Sequence, residues 1–239
     1  MRVNKYISEA GLCSRREADE WLLAGRVTIN GEVVTTGAKA LDGDEVRLDG
    51  EIVKPRVLAS TPTAKRAVYI ALNKPVGITC TTDRSVSGNI IDFVDHQERV
   101  FPIGRLDKDS EGLILLTSNG DIVNEILRAE NHHEKEYLVA VNKPVTDEFL
   151  GGMARGVRIH GQMSKPCRTR KIAKFGFAIV LTQGLNRQIR LMAAAFGYRV
   201  TQLRRVRIIN VKLGHLKPGQ WRNLTDAELK GLLPHRTQW

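Results

Sequence analysis

The sequence predicts an α+β chain in two parts: a small helix-helix-hairpin unit over residues 1–50 and a larger mixed domain over 68–239, built around an extended sheet. Three observations predict it. Two short helical patterns end at Gly11 and Gly25, and Asn30-Gly31, the strongest short hairpin signal, follows them. From Val68 the chain changes to apolar, β-type runs, each close to Pro or Gly, alternating with helix-length segments. Between the two lies Glu51 to Arg66, with Pro55, Ser60-Thr61-Pro62-Thr63 and no apolar period, which reads as a linker over 51–67.

The elements follow in order. Val3, Ile7 and Ala10 share one side of a first helix. Ser14-Arg15-Arg16-Glu17 has the spacing of a capping box and starts a second helix through Trp21 and Leu22. Val27-Thr28-Ile29 and Glu32-Val33-Val34 are the hairpin strands, and Glu45 to Leu48 is another. Val68–Leu72, Leu113–Thr117, Tyr137–Val141 and Phe177–Leu181 are strand candidates. Helices are expected over Asp121–Ala129, Thr146–Arg155, Arg187–Phe196 (with Gly197 as C-cap) and Thr225–Leu233, the last opened by a second capping box to Glu228. Asn73-Lys74-Pro75 and Asn142-Lys143-Pro144 echo each other after two of the strands.

Composition excludes several function classes. No stretch of ~18 apolar residues appears, so nothing is expected to span a membrane. The start, Met1 to Tyr6, lacks the apolar core of a signal peptide. Three widely spaced cysteines, Cys13, Cys80 and Cys167, make no Cys-x-x-Cys pair, so neither a zinc site nor a disulfide framework is expected and a reduced cytoplasm fits. His132-His133-Glu134 has no supporting ligand cluster, and no metal is expected. The net charge of +11 is unevenly placed: Phe149 to Thr225 holds sixteen Lys and Arg and not one Asp or Glu. A one-signed surface attracts polyanions, and with so few aromatics a nucleic acid suits it better than a membrane.

The run Phe101 to Leu113, Phe-Pro-Ile-Gly-Arg-Leu-Asp-Lys-Asp-Ser-Glu-Gly-Leu, sets Asp107 on a glycine-bounded loop before an apolar strand, where a carboxylate can be held rigidly. The run closely resembles the catalytic motif of RNA pseudouridine synthases of the ribosomal-RNA branch. Asn73 to Gly77 looks like that family's first motif. His133 to Val139 resembles the segment carrying its base-stacking tyrosine, and Gly184 to Arg190 its last motif. Four motifs in order cover nearly the whole chain. One departure is Leu191, where relatives commonly continue with a second arginine, which puts one RNA or packing contact in doubt. The N-terminal helix-helix-hairpin resembles the α-L RNA-binding domain, through Ser14 to Ala18 and Gly25 to Gly31.

The resemblance implies a mixed, largely antiparallel sheet, with Asp107 as catalytic carboxylate, Tyr137 as the ring on which a flipped uracil stacks, and Arg190 as the arginine that pairs with Asp107. Arg187, three positions earlier on the same helix face, competes for that role. Arg105, Ile189, Arg187 and Lys74 are expected at the substrate, and Lys5, Arg15, Arg16 and Arg26 on the RNA face of the first domain. The chemistry moves uracil from a nitrogen to a carbon link on the same ribose and neither gains nor loses atoms, so no cofactor is expected. A carboxylate is required, either to attack the ribose or to remove a ribose proton and give a glycal; the sequence leaves the two open. The expected partner is large-subunit ribosomal RNA, with small-subunit RNA or a transfer-RNA stem-loop as alternatives, for a monomeric cytoplasmic protein. The rivals from other classes are a non-catalytic ribosome-assembly factor, which would not need Asp107, Tyr137 and Arg190 together, and a nuclease, which would want a metal cluster or a His pair.

Overall fold

A computed structural model describes residues 1–54, 67–127 and 133–235. The chain forms two compact units, Met1–Arg66 and Ala67–Trp239. In the first, α1 (Val3–Glu9) and α2 (Arg15–Leu23) precede a four-stranded antiparallel sheet of β1 (Val27–Ile29), β2 (Glu32–Val33), β3 (Val46–Leu48) and β4 (Glu51–Ile52), in the order β2-β1-β3-β4. Ser14 caps α2 as its spacing predicts, accepting from Glu17 N while Glu17 accepts from Ser14 N. Val3, Ile7, Ala18, Leu22, Val27 and Val46 form the core. The linker expected from residue 51 starts later. Glu51–Ile52 pairs with β3, and Val53 is buried in this core; the rest of the expected linker, 55–66, lies outside the described residues.

The second unit holds a nine-stranded sheet. Its main path runs β11 (Arg168–Ala173), β12 (Gly176–Leu181), β8 (Lys135–Val141), β13 (Val200–Ile208), β7 (Glu111–Thr117), β5 (Tyr69–Lys74) and β15 (Trp221–Asn223), with β14 (Val211–Lys212) on β13 and β6 (Phe101–Ile103) on β7. Every pairing is antiparallel except β13 with β7, which run parallel and meet only at Arg204–Glu111 and Arg205–Gly112. The sheet is thus two antiparallel halves joined by a short parallel seam. A separate hairpin, β9 (Arg158–Ile159) with β10 (Gln162–Met163), completes the strands.

Period-two alternation assigns the faces. Ile70, Leu72, Ile114 and Leu116 join Val139, Phe177 and Ile179 in one core, which contains residues of α3 (Ile90–Val94), α5 (Asp147–Arg155) and α6 (Gln188–Ala195). Tyr69, Ala71, Leu113 and Leu115 face a second core with residues of α4 (Asp121–Leu127) and α7 (Asp226–Leu232). Thr225 caps α7 as expected. Residues 128 and 129 of the expected fourth-helix span lie outside the described residues. The Asn-Lys-Pro echo holds only in chain position: Lys74 is wholly buried, whereas Lys143 is exposed, 5.8 Å from the Tyr198 ring.

Candidate active site

The seam sets the site. Gly112 has φ +110°, and a Cβ there would stand 2.3 Å from the Arg205 carbonyl oxygen and 2.6 Å from its nitrogen. Only glycine lets β7 and β13 approach this closely. Just before Gly112 runs the loop of Asp107, and four contacts hold it. Gly77 N donates to Lys108 O at 2.8 Å, Leu106 N to Cys80 Sγ at 3.4 Å, Ser110 N to Asp107 O at 3.0 Å, and Arg205 Nη1 to Arg105 O at 3.3 Å. The Asp107 side chain itself is half-buried and has no hydrogen bond or ion pair to any described residue.

The expected Arg190–Asp107 pair is not formed. Arg190 and Arg187 both go to Asp109. Arg187 reaches its two carboxylate oxygens at 3.1 and 3.0 Å, and Arg190 Nε lies 3.4 Å from one of them. Arg190 Nη2 donates to Asp109 O at 2.9 Å and to Ser110 Oγ at 3.1 Å. Arg187, in a left-handed conformation (φ 50°), is the N-cap of α6, so both guanidinium groups come from one helix start. Burial pushes the Asp109 carboxyl up, but the Arg187 hydrogen bonds and the charges of Arg190 and Arg187 outweigh it and hold the group below its ordinary range. In extended chain residues 107 and 109 face alike, so spacing alone could not separate them.

Lys74, expected at the substrate, is fully buried; its Nζ donates to Pro75 O at 2.8 Å and Ile78 O at 2.9 Å, closing the turn whose Gly77 holds the Asp107 loop. Burial lowers its pKa, opposed by the nearby Cys80, Asp107 and Asp109 side chains. Tyr137, on β8, is 9% exposed and shares the first core with Ile189, which is 4% exposed. The side chain of Arg105 is exposed. Of the pair flagged for metal, His133 Nδ1 lies 2.8 Å from Ile126 O and Glu134 binds Arg168 and Arg207; His132 lies outside the described residues.

Sequence reasoning missed Arg205. It is 4% exposed, the one buried arginine among the described residues. Its Nε donates to Leu113 O at 2.7 Å, and its guanidinium carbon is 6.0 Å from the Tyr137 ring centre. Nη2 is buried without a partner among the described residues. The available signal was a charge two residues after Leu203, where strand alternation calls for an apolar side chain. In the first unit, Arg26 is clamped by Asp49 and lies 5.1 Å from the Trp21 ring, and Lys5 pairs with Glu9, while Arg15 and Arg16 stand exposed at the start of α2.

Comparison with known proteins agrees with this construction. Residues 68–195 match the RNA pseudouridylate synthase family, and residues 1–46 match the S4 domain. The chain is 56% identical to dual-specificity RNA pseudouridine synthase RluF of Shigella flexneri over 96% of its length and 77% of that protein. It is 32% identical to ribosomal large subunit pseudouridine synthase B of Bacillus subtilis, over 97% of this chain and 95% of that one. A crystal structure of a pseudouridylate synthase superposes with a TM-score of 0.70 at 30% identity, covering 97% of this chain and 99% of the other. A nine-stranded sheet with a parallel seam, a carboxylate loop fixed at that seam and this breadth of similarity lead to one conclusion: the chain is a member of the RNA pseudouridylate synthase family, with an S4 domain at its N-terminus.

Proposed function

We propose that this protein isomerises uridine to pseudouridine in large-subunit ribosomal RNA, with Asp107 as the catalytic carboxylate. One observation carries the role of Asp107: its loop is fixed by four contacts while its carboxylate is bound to nothing among the described residues. Asp109, two residues on, is held by two arginines and is not free to react. A free functional group on an immobilised backbone is the arrangement that removes orientational entropy from a reaction.

The reaction begins with rupture of the bond from ribose C1′ to uracil N1, the electron pair leaving with the base. Asp107 either forms a bond to C1′ or takes a proton from C2′. The base turns and its C5 bonds to C1′, as the Asp107–C1′ bond breaks or as Asp107 returns its proton to C2′; the C5 proton is then lost and N1 takes up a proton, so that substrate and product have the same atoms. Tyr137 supplies the ring on which the extruded base stacks. Arg190 serves at one remove, tying Asp109 and Ser110 to α6 beside the loop. Arg105, exposed at the loop, contacts the RNA strand, and Arg15 and Arg16 of the S4 domain dock a more distant part of the same RNA in the cytoplasm.

The large-subunit assignment draws on the similarity to the Bacillus large-subunit synthase, and the similarity to the dual-specificity Shigella synthase favours a second RNA substrate, for which a transfer-RNA stem-loop is the candidate. The test is to map pseudouridine in both RNAs after incubation with the wild-type protein and with Asp107→Asn. The wild type should modify a large-subunit fragment, and the variant should bind it and leave it unmodified. Turnover by Asp107→Asn near the wild-type rate would exclude Asp107, and modification of transfer RNA alone would exclude the ribosomal assignment.

A further inference from the structure

A buried arginine ordinarily has a carboxylate partner. Even its less buried neighbours on β13 have one: Arg204 lies 4.0 Å from Glu111, and Arg207 lies 2.9 Å from Glu136 and 3.1 Å from Glu134. Arg205, between them and far more buried, has none among the described residues. It bonds only to two carbonyl oxygens and keeps one nitrogen unpartnered. Other cations surround it. Lys135 lies two residues before Tyr137 on β8, and its Nζ donates to His133 O at 3.2 Å and to no other described residue. Burial lowers the Lys135 pKa and the Arg205 charge lowers it further; Lys74 also feels Arg205 after its own burial. In register Arg205 stands opposite Tyr137, so Lys135, Tyr137 and Arg205 face the same side of the sheet.

We propose that Arg205, supported by Lys135, stabilises the negative charge that uracil carries while it is detached from ribose. The inference rests on the reading of Asp107 and Tyr137 above. When C1′–N1 breaks, the electron pair stays on the base, which becomes an anion with its charge spread over N1 and the two carbonyl oxygens. In the same step Asp107 gives up its charge, by bonding to C1′ or by taking the C2′ proton. Negative charge therefore moves from the loop to the base stacked on Tyr137. Arg205 spans that path, with Nη1 on the backbone of the Asp107 loop and its guanidinium carbon 6.0 Å from the Tyr137 ring centre. A fixed cation whose compensation arrives only as the bond breaks lowers the barrier rather than the ground state.

A leaving-group comparison tests this. Single-turnover cleavage of the uridine link would be followed on an RNA that the wild-type protein modifies, carrying either uridine or 5-fluorouridine at the target. Fluorine stabilises the anion of the base by itself. Arg205→Gln should slow the uridine RNA about 100-fold and the fluorinated RNA by no more than about tenfold, on the scale of removing one charge-stabilising group. RNA affinity should not change. Arg205→Lys, which keeps the charge and loses the planar fork, should slow both RNAs equally. Equal losses from Arg205→Gln on the two RNAs, or no loss, would overturn the proposal. If thermal melting shows that Arg205→Gln does not fold, Lys135→Met is decided by the same comparison. Asp107→Asn must abolish reaction of both RNAs alike; activity there would sink the reading of Asp107, a failure separate from that of Arg205.

Discussion

Replacing Gly112 with alanine tests whether the parallel seam sets the site. The perturbation has two parts. At φ +110° an L side chain is strained by about 1–3 kcal/mol. The new Cβ also meets the Arg205 backbone at 2.3 Å (oxygen), 2.6 Å (nitrogen) and 3.0 Å (carbon). These are backbone atoms, so no rotamer change relieves them and β13 must move, at a further cost of about 1–3 kcal/mol. The sum, about 2–6 kcal/mol, corresponds to a Tm lower by about 5–20 °C for a domain of this size. Displacing β13 also draws Arg205 Nη1 from Arg105 O, so turnover should fall at temperatures where the variant is still folded. Gly161→Ala is the control in the same unit: its φ is +76° and nothing lies within 4 Å of the added Cβ, so it carries the first part only. Thermal unfolding of the three proteins, followed by near-ultraviolet dichroism, makes the comparison. A Gly112→Ala transition within a degree of that of Gly161→Ala would refute the reasoning.

Three further outcomes are expected. Arg190→Ala should destabilise by about 3–5 kcal/mol, because it removes a largely buried cation and leaves Asp109 and Ser110 short of partners, whereas Arg187→Ala, an ion pair 46% exposed on both sides, should cost no more than about 1 kcal/mol; denaturant midpoints that rank them the other way would reverse the assignment. The folded-state pKa of Asp109 is depressed, so its contribution is complete above the unfolded value of about 3.9 and is lost as pH falls below it through the lower folded value; Asp109→Asn should therefore flatten the acid limb of the stability curve below about pH 4, and an unchanged limb would show that the pair adds nothing. Burial raises the Cys167 thiol to about 11, so Cys167 should alkylate far more slowly at pH 8 in the folded protein than in denaturant, as read by mass spectrometry, and equal rates would contradict its burial.

Much of the fold was legible because its signals are local. Capping boxes at Ser14 and Thr225, Asn30-Gly31 and the apolar strand ending at Thr117 all act within a few residues, and all are found. The strands that were missed take their identity from distant partners. β13 lies at the centre of the sheet, yet Arg204, Arg205 and Arg207 hide its alternation, and a bulge between Arg205 and Arg207 breaks the period. β11 is an edge strand with exposed Arg168, Arg170 and Lys171, whose charge blunts the edge and erases the pattern of a strand. Glu51–Ile52 is too short and polar to be separated from a linker until β3 is placed beside it. The likeness of the motifs identified the loop and the helix that meet at the site, but the choice of carboxylate for Arg190 depended on side-chain direction, which spacing does not contain.

The distribution of partners around the loop carries a mechanical consequence. Two arginines on one helix start grip Asp109 and Ser110 and Gly77 grips Lys108, while Cys80 and Arg205 grip the backbone on the other side of Asp107. The gripping groups come from four separate places: the turn after β5, the residue at its far end, β13 and α6. A change in any one shifts the carboxylate without touching it, and a misplacement of about 1 Å is enough to cost on the order of 100-fold in rate. The position of the Asp107 carboxylate therefore depends on residues spread over all four places. Lys74 is the extreme case: it has no exposed surface, and its two bonds to Pro75 O and Ile78 O shape the turn from which Gly77 reaches the loop. The turn that Lys74 closes gives it a structural place beside the Asp107 loop.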